Sequence, residues 1–70
     1  MTLKEAITRV LGQRGLTYRQ ITDAINDDRL YVPRDGMFVP QAQVRDAIKE
    51  SAKCFEVDRT VSPHRVKIRV

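Results

Sequence analysis

The sequence holds 70 residues, 41% of them hydrophobic and 31% charged, with a formal net charge of +4 and a pI near 9.7. That composition fits one folded domain, near the lower size limit for a core built without disulfides or metal, and it excludes a disordered tail. Cys54 is the sole cysteine, so no internal disulfide forms, and no apolar run reaches the roughly 20 residues of a membrane span.

The opening MTLKEAITRV lacks the uniform apolar centre of a signal peptide, and a lone thiol points to a reducing compartment. Thr2 with Glu5 three positions on forms a capping-box pattern and predicts a first helix over about Thr2–Gln13. Leu3, Ala6, Ile7, Val10 and Leu11 supply its apolar stripe, and Gly12 and Gly15 mark its end. Arg9 and Arg14 read as solvated. A second capping box, Thr17 with Gln20, opens a helix carrying Tyr18, Ile21, Ala24 and Ile25 that frays near Asp28. Asp23, Asp27 and Asp28 make its later half acidic. A divalent-metal site would need a third ligand that no spacing supplies, so a solvated face is the simpler reading.

In LYVPRDGMFV, residues 30–39, Asp35-Gly36 signals a turn between short extended stretches, Leu30–Val32 and Met37–Val39. Pro33 confines the first to a sheet edge. One of these pieces is expected to pair with the C-terminal hairpin and complete a small three-stranded sheet, because a lone hairpin is marginal in water.

PQAQVRDAIKESAK, from Pro40 to Lys53, predicts the third helix, with Pro40 at its first position. Val44, Ala47, Ile48 and Ser51 face inward. Arg45, Lys49 and Lys53 stack at steps of four on a neighbouring face, with Asp46 and Glu50 as a second row. Cys54–Asp58 then alternates as a strand, Arg59–His64 is a loop, and Arg65–Val70 alternates without a break: Val66, Ile68 and Val70 inward, Arg65, Lys67 and Arg69 outward. The outward cations have two readings, as phosphate contacts or, with Glu56 and Asp58 lying across the hairpin from Lys67 and Arg69, as cross-strand ion pairs. Residues 1–50 carry a net charge of +1 and residues 51–70 of +3, so the excess lies mainly in the C-terminal hairpin. Such a bias favours nucleic acid or an acidic protein surface as partner.

The order is that of an α+β winged helix-turn-helix: three helices, then a β-hairpin wing, with a short strand in the 30–39 region. KEAITRVL, then LTYRQITDAI leading to LYVPRDG, then VPQAQVRDAI and Phe55 at the start of the wing, resemble the HARE-type winged helix-turn-helix domains. These occur in chromatin-associated proteins, restriction endonucleases and the bacterial RNA polymerase delta subunit. The resemblance covers nearly the whole chain and implies a non-catalytic module that binds DNA or docks on protein. Asp46 and Glu50 on the third helix depart from a plainly basic reading face and keep the docking alternative open.

For double-stranded DNA, the early part of the third helix offers Gln41, Gln43 and Arg45 to base edges, with Lys49 and Lys53 near phosphates. Arg65, Lys67 and Arg69 of the wing would follow the backbone. The alternative is an acidic protein partner or a fused enzyme domain, met through the same mixed-charge face. Cys54 and His64 are the only Cys and His, and no phosphate-cradling glycine loop or nucleophile–base set accompanies them. The expectation is therefore no enzyme activity, no cofactor and no membrane, in the cytoplasm (on the nucleoid in a bacterium) or in the nucleus. A strand reaching Val70 without a polar tail points to one domain, 1–70, within a longer protein.

Overall fold

The computed structural model describes residues 1–69, which fold as an α+β domain of three helices and a three-stranded antiparallel sheet. Helix α1 spans Leu3–Leu11. The Thr2 hydroxyl accepts from the Glu5 amide (3.2 Å) and the Thr2 amide donates to the Glu5 carboxylate (3.1 Å), closing the capping box. Gly12, at φ 53°, ends the helix in a backbone conformation that a side chain would disfavour, while its amide donates to the Thr8 carbonyl. The helix is thus shorter than the predicted Thr2–Gln13, because Thr2 acts as cap and the turn at Gly12 comes before Gln13.

Strand β1, Leu16–Thr17, precedes helix α2, Tyr18–Asp27. Thr17 serves both. As N-cap it is extended (φ −75°, ψ 162°), and its hydroxyl accepts from the Gln20 amide while its own amide donates to the Gln20 side chain. An extended cap continues naturally into a strand, so Leu16 and Thr17 pair with the last strand.

This corrects the expected position of the third strand. Residues 30–39 form none, for two physical reasons. The Met37 amide donates to the Asp35 carboxylate and the Gly36 amide donates to the Pro33 carbonyl (2.9 Å each), curling the segment into a turn. Val39, the one buried residue of the stretch, spends both backbone groups on Asn26: its amide donates to Oδ1 (2.8 Å) and its carbonyl accepts from Nδ2 (3.0 Å). No sheet edge is left there.

Helix α3 covers Gln41–Glu50, not Pro40–Lys53. Pro40 lies outside as N-cap, with extended backbone, and Ser51 (φ −111°, ψ 38°) leaves the helical geometry. The chain turns through residues 51–54 to carry Phe55 into the core, which releases Lys53 from the helix. Strands β2, Phe55–Asp58, and β3, Arg65–Ile68, form the hairpin, and the sheet order is β1-β3-β2. Cys54 and Arg69 lie just past these strands, joined by a bond from the Arg69 amide to the Cys54 carbonyl (2.8 Å). The expected inward Val70 lies outside the described residues.

Alternation and register give the sheet two unlike faces. Leu16, Phe55, Val57, Val66 and Ile68 face the helices; Thr17, Glu56, Asp58, Arg65 and Lys67 face away. The core lies between the inner face and α1, α2 and α3, built on Ile7, Leu11, Ile21, Ile25, Val44, Ile48 and Val66. Among the described residues no helix is long and apolar enough to cross a membrane.

Candidate nucleic-acid interface

Val44 and Ile48 anchor α3 in the core, and this fixes where its polar side chains point. At about 100° per residue, Arg45, Lys49 and Gln41 fall on the flank toward the hairpin, while Gln43 lies about 160° around from Arg45. Gln41 and Gln43, both exposed, therefore do not share a face.

Between this flank and the hairpin runs a groove of about 400 Å³. Arg45 and Lys49 line one wall, and Arg59 and His64, from the ends of the β2–β3 loop, line the other. Ile48, Phe55 and Val57 supply apolar lining, with Ile48 and Phe55 rooted in the core, and the Tyr18 ring also borders it. The Arg45 guanidinium lies 6.0 Å from the centre of the Tyr18 ring, a cation–π contact that draws the long side chain toward the groove. No carboxylate among the described residues lines it. Three fixed positive charges line it with no acid in the lining itself, and they raise the local potential where an apolar surface weakens screening. Asp46, Glu50 and Asp58, next in sequence to Arg45, Lys49 and Arg59, stand outside that lining.

The expected wing cations lie elsewhere. Lys67 pairs across the hairpin with Glu56 (Nζ–Oε2 3.8 Å), and the two border a separate hollow beside Gly12 and Gln13. Arg65 stands opposite Asp58 on the same outer face, its Cβ near Gly15. Asp58 thus faces Arg65 and not Arg69, because the register pairs 58 with 65. Arg69 turns its guanidinium to the Phe55 carbonyl (3.4 Å). Lys53 is exposed in the turn after α3, out of the Arg45–Lys49 row.

Asp58 ends the strand one residue before Arg59. Its carboxylate accepts from the hydroxyl (2.6 Å) and the amide (2.9 Å) of Thr60. These bonds hold it below the usual carboxylate range, with the charges of Lys67 and His64 adding to the effect. The acid is engaged by the loop and does not turn into the groove.

Arg59 and His64 escaped the sequence reading, which took residues 59–64 for turn formers. The available signal was positional, a basic residue and an imidazole at the two ends of a hairpin loop. No family model, no curated protein and no solved structure matches the chain.

Proposed function

We propose that this chain is a winged helix-turn-helix module that binds duplex DNA and catalyses no reaction on it. The element order α1-β1-α2-α3-β2-β3 with sheet order β1-β3-β2 fits that architecture, with α2 and α3 as the helix pair and β2–β3 as the wing. The resemblance to HARE-type domains supports the same reading, and with it a place wherever chromosomal DNA lies, in cytoplasm or nucleus. The observation that carries it is the groove between α3 and the hairpin, with Arg45, Lys49, Arg59 and His64 around it and no acid. In this reading one sugar–phosphate strand of the duplex lies in the groove, with α3 on one side of that strand and the hairpin loop on the other.

The test is fluorescence anisotropy of a labelled duplex as salt is raised. Three phosphate contacts, from Arg45, Lys49 and Arg59, give a slope of log K against log salt of about −2.7. Absence of binding at low salt overturns the proposal. A second reading, docking on an acidic protein or a fused enzyme domain, is favoured by two observations. Asp46 and Glu50 lie exposed on α3, and Met37 and Phe38 are 63% and 65% exposed on the loop before it. Under that reading the duplex does not bind, while the partner does.

A further inference from the structure

We propose that Asp46 reads sequence, accepting a hydrogen bond from the exocyclic amino group of a cytosine in the major groove. The inference rests on the duplex reading above and adds a specificity-determining residue to it. Val44 and Ile48 are the buried anchors of α3, and Asp46 lies about 160° around the helix from each, on the line that points straight out. It is exposed, and among the described residues it forms no ion pair. One turn before it stands Ala42, too short to shield it. Lys49, one turn on toward the hairpin flank, is its nearest cation on the helix and forms no ion pair with it, while Arg45 leans aside over Tyr18.

The helix is therefore divided. Its hairpin flank is cationic and suited to phosphate, and its crest carries a carboxylate that a phosphate would repel. A strand seated in the groove brings this crest toward the base edges. Of the groups displayed there, a carboxylate accepts only from the amino groups of cytosine or adenine, and it is repelled by the acceptor edges of guanine and thymine. Cytosine presents its amino group without the neighbouring N7 acceptor of adenine, so it is the better fit. Asp46 thus weakens binding to most sequences and spares those that place a cytosine beneath it.

The test uses the full chain and a pool of duplexes with a randomised centre, selected and sequenced for the natural protein, Asp46→Ala and Asp46→Asn. Circular dichroism checks that the variants remain helical. The natural protein should enrich cytosine at one position by at least about five-fold. Asp46→Ala should bind the unselected pool more tightly and lose that preference. Asp46→Asn, which both donates and accepts, should move it to adenine. Identical sequence profiles for all three proteins, with duplex binding intact, overturn the role of Asp46 and leave the duplex reading standing. Failure of all three to bind any duplex at low salt overturns the duplex reading, and this inference with it.

Discussion

Asn26 shows how much of this fold hangs on one side chain. Its amide takes the place of a strand for Val39, meeting the backbone N–H and C=O of a residue only 2% exposed. A backbone N–H can only donate, so the orientation of the amide is fixed: Oδ1 toward the N–H, Nδ2 toward the carbonyl. In Asn26→Ala both groups are left unpaired next to the core. Each orphan costs about 1–3 kcal/mol, so the variant should lose roughly 2–6 kcal/mol, a large share of the stability of so small a domain. Urea unfolding measures the loss. Asn26→Asp keeps the acceptor but sets a carboxylate against the Val39 carbonyl, and it should also destabilise. None of this was legible in the sequence, where Asn26 is one polar residue at the end of an acidic helix. Its partner stands 13 positions away, beyond the reach of any local pattern.

Local patterns, by contrast, foretold the elements whose determinants are local. Both capping boxes occur as spaced in the sequence, because a side chain and an amide three residues apart meet in the first turn whatever surrounds them. Strand β3 follows from its alternation. The misplaced strand and the overlong α3 depend instead on what lies across the molecule: β3 offers its edge to Leu16–Thr17, and the burial of Phe55 ends α3 early. The local hydrogen bonds also set an acid response. Glu5 titrates below its ordinary value of 4.5 because of its bonds to Thr2, and Asp58 below 3.8 because of its bonds to Thr60. A carboxyl with a folded pKa below its unfolded one stabilises the fold at pH values above the unfolded pKa. That contribution is lost as pH falls from there through the lower, folded pKa. The melting temperature should therefore drop on acidification from about pH 5. Gln20 already completes the second box without a charge, so Glu5→Gln should keep the cap at neutral pH. Combined with Asp58→Asn, it should flatten the melting profile at acid pH. A double variant that loses stability on acidification as steeply as the natural protein would refute this account.

At the scale of the whole molecule, the distribution of charge matters more than its sum of +4. The sequence showed Arg65 and Lys67 pointing out from the sheet, and alternation is sound evidence for that. Alternation does not say onto which side of the molecule they point. Only packing against the helices shows that Val57 faces the groove with α3 and that Lys67 faces away, beside Glu56. Register and packing thus divide the predicted site: Arg45 and Lys49 stay together, gain Arg59 and His64, and part from Arg65 and Lys67. An exposed pair such as Lys67–Glu56 adds little to stability, on the order of 0–1 kcal/mol, so Lys67 is open to substitution without endangering the fold. Neutral substitutions then separate the two faces while changing net charge equally. Lys49→Gln and Arg59→Gln should each make the salt dependence of duplex binding shallower, by about 0.9 in the log–log slope. Lys67→Gln should leave that slope unchanged, since its ammonium meets a carboxylate and not a phosphate. If Lys67→Gln makes the slope shallower while Lys49→Gln does not, the duplex lies on the outer face of the sheet, and the groove between α3 and the hairpin is not its seat.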